Sequence, residues 1–184
     1  MQYLLANGES MRIREALPED APALLKMDRK VAGETNFLLI TAEETDLIPL
    51  HQKEQLIGKF HGSADSLLLI AITKEEIVGC LSLEQKYGIR QKHVGEFEIA
   101  VLSAYWNMGI ARRMMNHMMK WVVQNSSIRS MQLKVMANNE KAIRLFRKFG
   151  FREEGRQHRT VRLNNELYVD VITMGQWLKK SGTK

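Results

Sequence analysis

Two carboxylates stand two residues apart in "HVGEFEIAV" (93–101). Alternate residues of an extended strand share a face, so Glu96, Glu98 and Ala100 fall together, opposite Phe97, Ile99 and Val101. Like charges on one face raise the proton affinity of one of them. Such a group suits removal of a proton from a reacting molecule, directly or through a water. A few residues on, "YWNMGIARRMM" (105–115) puts Gly109 and Ala111 at the threshold of a long amphipathic helix. The first N–H groups of a helix lack internal partners and, with the macrodipole, attract an anion. Gly109 and Ala111 keep side-chain bulk away from those groups, which is a phosphate cradle in outline. The chain has no G-x-x-x-x-G-K-[ST] loop and no G-x-G-x-x-G after a strand, so neither of those phosphate sites accounts for the turn.

The elements that must position these groups read as β, α, α, β, β, β, α, β, α, β, β. "MRIREAL" (11–17) is the first strand, and a helix follows from Pro18. A second helical stretch starts near Thr41, which with Glu44 has the spacing of a capping box, and Pro49 bends or divides it. "SLLLIAIT" (66–73) and "EIVGCLSLEQ" (76–85) form a hairpin across Lys74 and Glu75, and 93–102 is the next strand. The helix from Gly109 to about Gln124 turns Ile110, Met114, Met118, Trp121 and Val122 to one side and Arg112, Arg113, Asn116 and Lys120 to the other, so its methionines read as core. Strand 130–137, helix 138–150 closed by Gly150, and a last hairpin turning at Asn164 and Asn165 complete a mixed α/β sheet with helices on both faces. Residues 1–10 read as a frayed N-terminal extension, 11–178 as one domain and 179–184 as a tail.

Composition narrows the function without choosing it. Residues 1–60 carry seven Lys/Arg against ten Asp/Glu, and the remaining 124 carry twenty against eleven. An acidic first third joined to a basic remainder suits a phosphate-bearing ligand. The longest apolar run, "LLLIAI", is far below the roughly 20 residues a membrane span needs, and the N-terminus has no signal-peptide pattern, so the chain reads as cytoplasmic. Cys80 is the single cysteine and reads as a small core residue. The five histidines have no metal-ligand spacing, and no metal is expected. Aromatics make up 7% of the chain and give no platform for base stacking, which argues against a nucleic-acid module.

From about residue 11 to 178 the chain resembles the GNAT superfamily of acyl-CoA-dependent N-acyltransferases. Its Q/R-x-x-G-x-G/A motif is met by Trp106, Asn107, Met108, Gly109, Ile110 and Ala111, with Trp106 departing from the usual first residue. Its Asn-led helix motif is met by Asn139, Ala142, Ile143, Leu145, Phe146, Gly150 and Phe151, and "EGR", "YVD" and "MG" recur in the last hairpin. The resemblance implies a mostly antiparallel sheet of six to seven strands, splayed between its fourth and fifth, and acetyl-CoA as co-substrate. It implies that the backbone of Met108 to Arg112 takes the pyrophosphate, with Arg112 or Arg113 adding charge. Pantetheine would lie beside the strand ending at Val101 and meet Asn139, which also reads as a helix N-cap. Phe146 occupies the position where many members carry the tyrosine that protonates the leaving thiolate.

The implied reaction is transfer of an acetyl group to a primary amine. Several members that the chain resembles carry their base Glu at the place that Glu96 holds relative to Gly109, so the resemblance makes Glu96 the first candidate for general base and Glu98 the second. The acceptor, a small molecule or peptide amine, would be framed by the acidic first third, where Glu34 and Glu43 are candidate contacts and Glu44 and Asp46 add charge; such a mouth favours a cationic amine. The alternative is a non-catalytic acyl-CoA-binding sensor or inactive paralogue, which Phe146 permits. Trp177 in "GQWLKK" is a candidate contact in a homodimer, and neither nucleic acid nor membrane is an expected partner.

Overall fold

The fully apolar run 67–72 lies on a strand that is buried along its whole length (Leu67–Thr73, β3). A strand apolar at both parities has to be covered on both faces. Helices supply that cover, as the rest of the chain shows in a computed structural model that describes residues 2–125 and 127–178. The tail expected at 179–184 lies outside the described residues.

The elements before β3 are β1 (Gln2–Leu4), β2 (Ser10–Glu15), a 3-10 turn at Pro18–Asp20, α1 (Ala21–Glu34), α2 (Ala42–Asp46) and α3 (Leu50–Phe60). After β3 come β4 (Glu76–Gln85), β5 (Val94–Val101), a 3-10 turn at Ser103–Tyr105, α4 (Ile110–Asn125), β6 (Ser130–Met136), α5 (Glu140–Lys148), β7 (Arg152–Arg162) and β8 (Tyr168–Trp177). Hydrogen bonding orders the strands β1-β2-β3-β4-β5-β6-β8-β7. The pairs β1–β2, β2–β3, β3–β4, β6–β8 and β7–β8 are antiparallel, whereas β5–β6 is parallel. The sheet therefore has eight strands, not six to seven. The added strand is β1, which pairs Tyr3 with Met11 where the sequence reads as a frayed extension.

The chain divides into two compact units, residues 1–83 with 99–126, and residues 84–98 with 127–184. In the first, Ile57 and Phe60 of α3 are buried, as are Ile110, Met114, Met115, Met118 and Val122 of α4, and both helices pack against β3. Met114, Met115 and Met118 of α4 are core residues, and Met119 is half-buried. Pro49 separates α2 from α3, because a proline nitrogen cannot donate to the preceding turn. Thr41 caps α2 through the Glu44 N–H, and Glu44 reaches back to the Thr41 N–H at 2.8 Å. Lys74 (φ 47°) and Glu75 (φ 60°) turn the β3–β4 hairpin in the left-handed region without the usual Asn-Gly pair.

The second unit is built on Phe97, Phe146 and Phe151, whose rings stand 5.3–6.4 Å apart in tilted and edge-on contacts. They join β5, α5 and the residue that leads into β7. The last hairpin explains why glycine and aspartate recur there. A Cβ on Gly175 would lie 2.2 Å from the Glu154 carboxylate, so glycine leaves the space in which Glu154 sits. Asp170 accepts from the Arg159 N–H at 3.0 Å and from Arg156 at 3.3 Å, tying β8 to the register shift in β7. Asn164 closes the turn by accepting from the N–H groups of Glu166 and Leu167.

Candidate active site

In the first unit the strand-to-helix turn has the backbone expected of an anion cradle. Asn107 (φ 62°) and Gly109 (φ 79°) both lie in the left-handed region, with Met108 between them, and α4 begins at Ile110. Alternating backbone hands of this kind turn successive N–H groups toward one point, and the helix dipole adds to them. Gly109 is needed for its φ and not for room, since a Cβ there would meet nothing within 4 Å. Asn107 and Arg112 are exposed, Met108 and Ala111 half-buried, and Ile110 anchors the turn in the core. Arg113 is committed elsewhere: it donates to the Leu4 carbonyl at 3.1 Å and stacks over Tyr3. Arg112 is thus the exposed guanidinium at this helix start.

The departure at Trp106 has a physical account. Its indole N–H donates to the Val101 carbonyl at 2.7 Å, bracing the turn against the end of β5. Trp106→Phe keeps the bulk and removes the donor, at a cost of about 0.5–1.5 kcal/mol for the lost hydrogen bond. A fall of a few degrees in Tm, measured by thermal unfolding, is the expected result.

The acids proposed to frame an acceptor are mostly engaged within this unit. Glu34 accepts the Ser103 N–H at 2.8 Å, Glu44 belongs to the capping box, and Asp46 pairs with Arg29 at 3.1 Å. Glu43 is exposed in the first turn of α2, where its own N–H and Thr41 hold its carboxyl below the usual range.

In the second unit the two strand carboxylates differ. Glu96 stands between two ammonium groups, Lys86 and Lys134, each 3.6 Å from one of its oxygens. Among the described residues no hydrogen bond or ion pair engages Glu98. Its carboxyl is raised above the usual range, first by desolvation and then by the charges of Glu96 and Glu84, with Lys134 opposing. Its side chain nevertheless keeps access to water.

Register places these groups. The parallel pairing of β5 with β6 covers Val94↔Ser130, Gly95↔Met131 and Glu96↔Gln132, and Glu96 is its last partner although both strands continue. Lys86 also donates to Gln132 at 2.9 Å, and Gln132 to Glu154 at 3.2 Å, so one side-chain network runs across β5, β6 and β7. Sequence reasoning missed Lys86, Lys134 and Gln132. The period-2 spacing of Gln132 and Lys134 was visible, and the resemblance set their strand beside 93–102, but the register that brings them to Glu96 was not.

Asn139 caps α5 by accepting the Ala142 N–H at 3.2 Å, and is half-buried. Phe146 is buried in the aromatic cluster. Trp177 is 64% exposed and tilts against His93 at 6.0 Å. Among the described residues, no group of three or more His, Cys, Asp or Glu could hold a metal ion, and no helix is long and apolar enough to cross a membrane.

The turn, the Asn-led helix and the mixed sheet together define a class: the chain belongs to the acetyltransferase (GNAT) family, whose model matches residues 34–151. It is similar to the L-amino acid N-acetyltransferase AaaT of Escherichia coli (strain K12), with 31% identity over 108 residues, 59% of this chain. The matched part spans 66% of that relative's length. Among solved structures, the acetyltransferase of GNAT family from Streptococcus pneumoniae is 28% identical with a TM-score of 0.87, covering 91% of this chain and 99% of the other. The structure of yncA from Salmonella typhimurium with its cofactor acetyl-CoA has a TM-score of 0.79 over 95% of this chain and 97% of the other. At 15% identity that likeness speaks for the fold alone.

Proposed function

We propose that the protein transfers an acetyl group from acetyl-CoA to the primary amine of a small molecule. The observation that carries this reading is the left-handed turn at Asn107 and Gly109 opening α4, in a chain of the GNAT family. In the proposal the N–H groups of Met108 to Arg112 take the pyrophosphate, with Arg112 adding charge at the exposed side. Val101 and Asn139 are each proposed contacts of the pantetheine arm; the Asn139 oxygen is already used as a cap, which leaves its amide N–H₂ for the contact. Acetyl-CoA supplies an activated acetyl thioester, and the products are an amide and the free thiol.

The amine has to be neutral to react. A lysine-like amine with a pKa near 10.4 is free in only about one molecule in 2,500 at pH 7, so a base contributes strongly. Geometry favours Glu98 over Glu96 for this role. Among the described residues Glu98 has no hydrogen bond or ion pair, and its proton affinity is raised, whereas Glu96 is held between two lysines. Glu96 then serves as the fixed neighbouring charge that raises Glu98. The family relative named for L-amino acids supports a small-molecule acceptor.

The rival reading is an acyl-CoA sensor without turnover. Phe146 favours it, being buried among aromatic rings where a tyrosine hydroxyl would serve as acid. Thiol release from acetyl-CoA across a panel of polyamines, aminoglycosides, amino acids and peptides with free N-termini separates the two. Acceptor-dependent release supports the enzyme, and saturable acetyl-CoA binding without release supports the sensor.

A further inference from the structure

Between β5 and α4 the chain runs from Leu102 to Gly109 through the 3-10 turn at Ser103–Tyr105. A turn this short holds itself weakly, because its first N–H groups find no partner inside it. Its own bonds run from the Tyr105 N–H to the Leu102 carbonyl at 2.9 Å and from the Trp106 N–H to the Ser103 carbonyl at 3.1 Å. The Ser103 N–H is satisfied from a distant element. Glu34, the last residue of α1, accepts it at 2.8 Å across 69 positions of sequence.

This bond lies within the first unit, and its neighbours show what it braces. The Leu102 N–H donates to the Val78 carbonyl of β4 at 3.0 Å, and the Trp106 indole donates to the Val101 carbonyl at 2.7 Å. The connection is thus held from α1, from β4 and by its own tryptophan immediately before the left-handed residues Asn107 and Gly109. Glu34 is exposed and Ser103 half-buried, so the carboxylate reaches in from the surface to a backbone donor. A carboxylate on a backbone N–H is a charge-assisted bond, stronger than a neutral one.

We infer that Glu34 is a positioning residue for the acetyl-CoA turn: it anchors Ser103, so that the N–H groups of Met108 to Arg112 converge before the pyrophosphate arrives. This rests on the acetyl-CoA reading of the turn and deepens it by placing one of its supports at the end of the first helix, where the sequence suggests an acceptor contact. Preorganisation is the physical reason. A connection free to shift has to be ordered when the ligand binds, and affinity falls by the cost of that ordering. Glutamine keeps an acceptor oxygen, so it substitutes for glutamate in this role.

The test is calorimetric titration of the full chain with acetyl-CoA, with thermal unfolding of each variant alongside. Glu34→Ala should weaken binding by about fivefold, the order of one net hydrogen bond, and Glu34→Gln should stay within about twofold of wild type. Ser103→Pro removes the donor instead; proline suits the first position of a helical turn, and Leu102 at ψ 140° suits the residue before a proline. It should weaken binding as Glu34→Ala does. The double variant Glu34→Ala with Ser103→Pro should bind within about twofold of the weaker single variant, because both changes remove the same bond. Wild-type affinity in Glu34→Ala, whatever its Tm, would overturn the proposal, as would Glu34→Gln binding as weakly as Glu34→Ala or losses that multiply in the double variant. Each of these leaves the acetyl-CoA reading standing. Absence of saturable acetyl-CoA binding by the wild type would overturn that reading and this proposal with it.

Discussion

Glu98→Gln should lower kcat for acetyl transfer by about 10²–10⁴-fold while leaving Tm within a degree or two, because the substitution keeps the shape of the side chain and removes only its basicity. The fold cost is small since no hydrogen bond or ion pair engages the native carboxylate among the described residues. The pH profile gives a second and sharper reading. Glu98 is raised by desolvation and by Glu96, so activity is lost as the pH falls through a value above the ordinary carboxylate range. Glu96→Gln removes a like charge, favours ionised Glu98 and moves that acid limb to lower pH. Stopped assays from pH 5 to 9 on the three proteins check the whole set. If Glu96→Gln abolishes turnover and Glu98→Gln does not, the roles are reversed from those proposed.

Gly109→Val should weaken acetyl-CoA binding by roughly tenfold or more and cost about 1–2 kcal/mol of stability, since a β-branched residue at φ 79° carries the left-handed penalty. Open space around the added Cβ means that the loss comes from backbone strain and not from a clash. The turn would relax by rotating its N–H groups away from their common point. Asn107→Gly is the control, because glycine adopts φ 62° freely, and its binding should stay within about threefold of wild type. Calorimetric titration with acetyl-CoA reads both variants. Equal affinity for Gly109→Val and wild type would mean that the pyrophosphate does not depend on this turn.

Local signals made most of the fold legible. The run at 66–73 read as a strand and is one over Leu67–Thr73, Thr41 and Glu44 met in the capping box their spacing predicts, and Met114, Met115 and Met118 of α4 are buried. Each of these rests on residues within one turn or one strand of each other. What stayed hidden depends on distant partners. The three residues of β1 are too short to carry a period, and their pairing with β2 is what makes them a strand. Lys74 and Glu75 occupy left-handed backbone that neither residue type announces.

The candidate site divides in the same way. The turn at 106–111 and the parity of Glu96 with Glu98 were readable, because both are sequence-local. Which carboxylate is engaged was not, since Lys134 lies 38 positions beyond Glu96 and is brought to it by a parallel crossover. The acids of the first third looked like a recognition surface by count alone. Glu34 and Glu44 accept the Ser103 and Thr41 N–H groups and Asp46 pairs with Arg29, partners that the count does not reveal.

The most direct test of the account is to incubate the protein with acetyl-CoA and the amine panel, measure thiol release, and identify the acceptor product by mass spectrometry, with Glu98→Gln in parallel. The account predicts acceptor-dependent release, an N-acetylated product in matching amount, and loss of both in the variant. Saturable acetyl-CoA binding with no acceptor-dependent release and no acetylated product would contradict it and identify the chain as a binding protein.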